Sequence, residues 1–414
     1  MNFLIFAANW YNRGDESAVR AMLDELQMVY PKAQFKIHFG GMNVTHIPYD
    51  NIEIVPKFSN ANRRFPIRRL LYKLSVASYG KINMMPKTRI TSKANNKEAL
   101  VKFVEAVKWC DLAIYAPGGP NIGDLYRTYT LLDCIDIIRH YNKPYVFYAP
   151  SMGPFKQYKS RISRILKNSD RVAFRENISA SYARELVPSL DAVVTLDSAF
   201  QHSIDENLYN GQMKTYVELS EYLNLHKKCV GITITDLSWH SLYRDGKIAE
   251  KIRAAFTGLI RYLRENEYGV VFIPQLFENG DDKSYMNSYC IEGCFIVDDV
   301  HDCYFQQYLI SKLYAVVGMR YHSNIFSAKM GTPFISVAYE QKMKGFMEKI
   351  DLTEYCFGIE DLSSDQLKIH FRRLEENYAL YKKRLEELHS WFQKESYRTT
   401  EMVISLIEEK GLDK

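Results

Sequence analysis

Short apolar runs alternate with segments of helical periodicity along nearly the whole chain, and that rhythm leaves few folds open. In the first half NFLIFAA, QFKIHFG, IEIVP, DLAIYAPGG, PYVFYAPS, DRVAFRE and AVVTLDSAF read as strands. Between them DESAVRAMLDELQMVY, KEALVKFVEAVKWC, residues 128–140 and NISASYARELV carry apolar residues at helical spacing. This alternation of strands and helices implies a parallel sheet with helices on both faces. A polar stretch at 205–228 reads as an irregular break. The rhythm then restarts with CVGITITD, a helix over 248–267, GVVFIPQ, a polar loop LFENGDDKSYMNS, CFIVDD, the helix YFQQYLISK, YAVVGMR and PFISVAYE. From 363 to 410 a long helical pattern closes the chain.

The expected class is therefore α/β, with two doubly wound Rossmann-like domains over 1–220 and 228–360 and a C-terminal helical segment over 363–412. At 414 residues the chain has room for both. Two such domains facing each other would form a cleft at the carboxyl ends of their strands, where this architecture binds ligands. With 47% hydrophobic and 25% charged residues the composition is that of a globular protein, and no apolar stretch approaches the ~20 residues of a membrane span. The first residues read as a strand, not a signal peptide. Seven scattered cysteines point to reduced thiols and a cytoplasmic location. The tightest group, Cys290, Cys294, His301 and Cys303, lacks paired zinc-ligand spacing, so no metal is expected.

Charge is unevenly spread. From 57 to 97 every charged side chain is Lys or Arg, which leaves the rest of the chain acidic despite a net charge of +5. The run RRFPIRRLLYKLSVASYG mixes these cations with Phe, Ile and Leu. It suits peripheral contact with an anionic membrane surface, or a solvated insertion. No nucleic-acid-binding motif is present.

Polar and glycine-rich clusters fall just after the strands. NRGDES places Asn12, Gly14, Asp15 and Glu16 at a helix start, where acidic residues suit the helix dipole. APGGPNIGD, with Gly118, Gly119 and Asp124, allows positive φ and close ligand approach, and APSMGPF has the same small-residue character. Arg175 ends a strand, where its guanidinium could fork onto an anion or pair with neighbouring Glu176. After the buried strand YAVVG come Arg320, His322 and Ser323 at a helix entry, then Lys342 and Lys344 after the next strand. Helix N-termini favour anions, arginine adds a permanent charge, and histidine can exchange protons near neutrality.

The stretch VVGMRYHSNIFSAKMGTPFISVAYEQKMKGFMEKIDL resembles the C-terminal signature of the polysaccharide pyruvyl transferase family. NRGDES, YAPGGPNIGD, APSMGPF, AFRENISASYARELV and TLDSAF resemble that family's remaining motifs, over about 1–352 apart from the basic segment. The triple glycine is reduced to Pro117-Gly118-Gly119, Ser151 stands for a glycine, and Glu340-Gln341 replace the usual aspartate and proline.

The resemblance implies the two-domain fold of GT-B glycosyltransferases. It also implies transfer of pyruvyl from phosphoenolpyruvate to sugar hydroxyls of a cell-surface polysaccharide or its lipid-linked precursor, commonly as a ketal, without a further cofactor. Arg175, Arg320, Lys342 and Ser323 would hold phosphoenolpyruvate. His322 would protonate the methylene carbon or the leaving phosphate. Asp15, Asp124 or Asp197 would take the hydroxyl proton, with Asn12, Gly14, Gly118 and Gly119 on the acceptor loops. A nucleotide-sugar glycosyltransferase would share the fold, as would a non-catalytic anion- or glycan-binding protein. Such an enzyme would work in the cytoplasm or at the inner face of the membrane.

Overall fold

A computed structural model describes the chain except residues 41–43, 45–46, 59–69, 71–72, 75, 79–95, 120–121, 125–129, 239, 241, 244–245, 278–280, 290–291 and 414. Most of the basic segment, and with it the expected membrane contact, lies outside the described residues. So does Cys290.

The chain divides into two compact units. The first comprises 1–10, 19–198 and 397–414; the second comprises 11–18 and 199–396. The crossing thus falls at 198/199, short of the polar break, and the segment containing Asn12, Gly14 and Asp15 belongs to the second unit.

In the first unit, strands β1 (Asn2–Ala8), β2 (Gln34–Phe39), β3 (Ile52–Val55), β4 (Leu112–Tyr115), β5 (Tyr145–Phe147), β6 (Arg171–Phe174) and β7 (Ala192–Val194) form one sheet of order β3-β2-β1-β4-β5-β6-β7. Every pairing is parallel. The helices that follow these strands in sequence are α1 (Arg13–Val29), α2 (Asn96–Trp109), α3 (Thr130–His140), α4 (Lys159–Lys167) and α5 (Asn177–Leu186). Leu4, Phe6, Phe103, Ile135, Phe147 and Phe174 lie at the centre of the core.

The second unit repeats the plan with β8 (Cys229–Thr233), β9 (Gly269–Phe272), β10 (Cys294–Ile296), β11 (Ala315–Gly318), β12 (Phe334–Ala338) and β13 (Cys356–Gly358), in the order β10-β9-β8-β11-β12-β13. All of these pairs are parallel too. That is the 3-2-1-4-5-6 order of the Rossmann fold, with its switch point between β8 and β11. Helices α6 (Glu206–Thr215), α7 (Val217–Leu225), α8 (Lys247–Glu265), α9 (Asp282–Asn287), α10 (Cys303–Ser311), α11 (Tyr321–Lys329), α12 (Gln341–Lys349), α13 (Ser364–Glu376) and α14 (Tyr378–Lys410) complete the chain.

Three sequence expectations change. The stretch 205–228 is not irregular but holds α6 and α7, because Asp205 caps α6 by accepting from the backbone N–H groups of Asn207 and Leu208. The loop LFENGDDKSYMNS contains α9, capped in the same way by Asp281. The C-terminal helical pattern breaks at Asn377, whose side chain bonds back to the Arg373 carbonyl. Among the described residues no helix is long and apolar enough to cross a membrane.

Candidate active site

The second unit gathers its polar residues at the carboxyl ends of β8, β9, β11 and β12, on both sides of the switch point. Val316 and Val317 of β11 are fully buried, and Gly318 ends the strand. Arg320 then adopts extended backbone as N-cap of α11, and its carbonyl accepts from the backbone N–H of Ser323 at 3.1 Å and from its hydroxyl at 2.6 Å. Ser323 is fully buried and its hydroxyl also accepts from Thr233 of β8 at 2.8 Å. It therefore ties the first turn of α11 to β8.

The Arg320 guanidinium points along the strand ends. Nε donates to Asp282 Oδ2 at 3.0 Å, one terminal nitrogen donates to Asp282 Oδ1, and that nitrogen also reaches Thr235 Oγ1 at 3.2 Å. Asp282 itself has no solvent exposure, and its Oδ2 takes the backbone N–H groups of Gln275 and Leu276 at 3.1 and 3.0 Å. Burial pushes its carboxyl pKa up, while Arg320 and the two backbone donors pull against that. Neighbouring Tyr339, after β12, is pushed well above the ordinary phenol value by burial and by Glu340.

The same 275–277 segment holds the start of α1. The N–H of Arg13 donates to the Gln275 carbonyl at 2.8 Å, that of Phe277 donates to Tyr11 at 3.0 Å, and Asn12 bridges Leu276 antiparallel. Asn12 Oδ1 accepts from the Gly14 N–H at 2.9 Å. Ser17 accepts from Gln307 of α10 at 2.7 Å, fastening the next turn. Gly14 consequently lies against the ring of His322. A Cβ at position 14 would overlap Nδ1, Cγ and Cβ of that histidine, so glycine is required by close approach. Asp15 follows in the first turn, largely buried, and Arg13 holds Glu16 at 2.7 Å.

Lys342 bonds Glu340 at 2.6 Å, with its ammonium 5.6 Å from the centre of the Tyr321 ring. The other carboxylate oxygen of Glu340 lies 3.4 Å from His240 Nε2. Lys344, expected to join these cations, is half exposed and pairs instead with Glu360 on the surface. Two positions after Lys342 in α12, it projects from the other side of the helix.

The remaining expected residues belong to the first unit. Arg175 is buried at the end of β6 and pairs with Asp197 at 2.6 Å, not with adjacent Glu176, which takes the Ser179 hydroxyl. Arg175 also donates to Ser151 at 2.8 Å and to the Gly119 carbonyl at 3.2 Å. It thus cross-links the loops after β4, β5 and β7. Gly118 and Gly119 both have positive φ, and Asp124 accepts from the Lys156 backbone N–H. The structure therefore sorts the expected residues into two sets. Asn12, Gly14, Asp15, Arg320, His322, Ser323 and Lys342 share the second unit, while Gly118, Gly119, Asp124, Arg175 and Asp197 share the first.

Asp282 escaped the sequence reading. It sits beside Asp281 at a helix start, where a cap explains one carboxylate, and its partner Arg320 is 38 positions away. Among the described residues no group of His, Cys, Asp and Glu is placed to hold a metal ion.

Solved structures share this architecture along the chain. UDP-GlcNAc 2-epimerase from Neisseria meningitidis, bound to UDP-GlcNAc, superposes with a TM-score of 0.56 at 10% identity, covering 98% of this chain and 100% of that one. Trehalose 6-phosphate synthase from Burkholderia multivorans gives 0.56 at 11%, covering 100% and 99%. The fold is thus that of the GT-B-like glycosyltransferases and epimerases, built from two Rossmann-like domains. Within that class, the chain belongs to the polysaccharide pyruvyl transferase family, whose pattern matches residues 12–341. It is also 21% identical over 398 residues to the amylovoran biosynthesis protein AmsJ of Erwinia amylovora, covering 89% of this chain and 90% of that one.

Proposed function

We propose that this protein transfers the pyruvyl group of phosphoenolpyruvate to hydroxyls of a sugar, in a polysaccharide or its lipid-linked precursor, closing a ketal and releasing phosphate. The observation that carries the reading is the seating of His322 on the Gly14 backbone, one residue past Tyr321 and two past Arg320. Histidine, a permanent cation and a helix N-terminus belong to this one helix entry, which would suit a substrate carrying both phosphate and carboxylate. Family membership supports the transferred group, and the AmsJ likeness supports a role in polysaccharide assembly.

In this reading Arg320 and Lys342 of the second unit hold the anionic groups. His322 gives a proton to the methylene carbon, which becomes a methyl group and leaves the central carbon electrophilic. A sugar hydroxyl adds to that carbon while Asp15 accepts its proton. The carbon–oxygen bond to phosphate then breaks, with the electron pair leaving on phosphate, where Arg320 stabilises it. A second hydroxyl of the same sugar closes the ketal. Its proton and the one on Asp15 restore His322 and protonate the phosphate, so the protein ends unchanged.

Calorimetric titration with phosphoenolpyruvate, beside a panel of nucleotide sugars, tests this without an identified acceptor. Saturable binding of phosphoenolpyruvate, strongly weakened but still measurable in Arg320→Ala, is the expected result. Binding of a nucleotide sugar in its place would overturn the reading in favour of glycosyl transfer.

A further inference from the structure

Two separate parts of the candidate site are anchored to the same buried carboxylate. Asp282 grips Arg320 through two guanidinium nitrogens and also fixes the Gln275–Leu276 backbone, the strap on which Arg13 and Asn12 rest. It is fully buried, so solvent does not compete for these four bonds. A guanidinium on a flexible side chain has many rotamers, and holding it by a carboxylate from behind leaves one of them.

We infer that Asp282 is the positioning residue of this site, fixing the guanidinium of Arg320 and the strap beneath Gly14 so that arginine and His322 meet an anionic substrate in one geometry. The inference rests on the pyruvyl-transfer reading for the identity of that substrate, but not for the bonds themselves. Asp282 is set apart from Arg320 in role, since it repels anions and acts only through the groups it holds.

The test is a double-mutant cycle read by calorimetry with phosphoenolpyruvate, on Asp282→Asn, Arg320→Ala and the pair. Asp282→Asn keeps the volume and removes the charge, and circular dichroism verifies that each variant folds. Asp282→Asn should raise the dissociation constant at least tenfold, and the double variant should bind no worse than Arg320→Ala alone, since residues acting as one unit are not additive. Effects that multiply, or an Asp282→Asn variant that binds like wild type, would overturn the inference. A ligand-free arm follows the Arg320 Nε–H resonance of protein labelled with ¹⁵N-arginine. Slow exchange with water in wild type, lost in Asp282→Asn, is expected whatever the substrate, and fast exchange in wild type would overturn the positioning role. Wild-type protein that protects this proton but ignores phosphoenolpyruvate would sink the pyruvyl-transfer reading and leave Asp282's hold on Arg320 standing.

Discussion

The backbone of Gly14 forms the floor under the ring of His322, although 308 positions separate them in sequence. The contact joins the first turn of α1 to the first turn of α11, and each turn is independently anchored. Asn12 and the Gln275 carbonyl hold the glycine, while Arg320 and Ser323 set the start of the histidine's helix. Gly14→Ala should therefore fold, because Ala is a better helix former than Gly. Its methyl group would push His322 off its seat, and displacements of about 1 Å near a reacting centre cost roughly 100-fold in rate. We expect pyruvyl transfer to fall by about that factor, with a lower melting temperature as well because the overlap reaches the Cβ of buried His322. A Gly14→Ala variant with wild-type turnover would detach His322 from the chemistry.

Arg175 illustrates a different kind of dependence. Its charge and that of Asp197 are each about 1% exposed, 2.6 Å apart, and Arg175 also donates to Ser151 and the Gly119 carbonyl. Removing one member of a buried pair leaves the other charge uncompensated, at a cost of about 3–5 kcal/mol. Arg175→Ala should lower unfolding free energy by that order in urea titration. Arg175→Ala with Asp197→Ala should cost less than the sum of the two single changes, by more than about 1 kcal/mol. Additive losses would mean that the pair contributes nothing as a pair.

Much of this was legible in sequence because the chemistry that makes strands and helices is local. The apolar runs that become β1, β4, β8 and β11 declare themselves, and so does the entry to α11, since Gly318, Arg320 and His322 follow one another directly. What stayed hidden depends on partners distant along the chain. Asp282 reads as the start of a polar loop until the fold brings Arg320 to it. Arg175 looks like a partner for adjacent Glu176 until β7 delivers Asp197. Nor does periodicity reveal that residues 11–18 depart from the first unit, because the docking is through backbone bonds to Gln275 and Phe277 that carry no sequence signature.

The two helices that replaced an expected irregular stretch give a prediction of their own. Asp205 accepts from Asn207 and Leu208 at 3.0 and 3.1 Å and is the side-chain cap of α6. Loss of an Asp cap costs typically about 1 kcal/mol. Asp205→Ala should lower stability by that amount, while Asp205→Ser or Asp205→Asn should restore most of it. Ligand binding at the candidate site should not change in any of the three. Equal stability of the Ala and Ser variants would show that capping is not what orders this segment.

Acid sensitivity should trace in part to His38 of the first unit. It lies on β2 against the rings of Phe58 and Phe103, with centroids 5.6 and 4.9 Å away, and among the described residues neither ring nitrogen has a hydrogen-bond partner. Burial first, and the charge of Lys57 second, lower its pKa from 6.5 to about 3. The folded protein therefore keeps the imidazole neutral where the unfolded chain protonates it. Above pH 6.5 both states are neutral and the group contributes no pH dependence. Between 6.5 and about 3 the unfolded state binds the extra proton, so stability falls as pH falls, by up to about 1.4 kcal/mol per pH unit. Below the folded value the slope from this residue vanishes. His38→Leu keeps an apolar contact with both phenylalanines and removes the titration. Urea denaturation at a series of pH values between 7 and 4 should therefore give a shallower loss for the variant than for wild type, with the two curves diverging only below about pH 6.5. Parallel curves would mean that the imidazole is hydrated or protonated in the folded state.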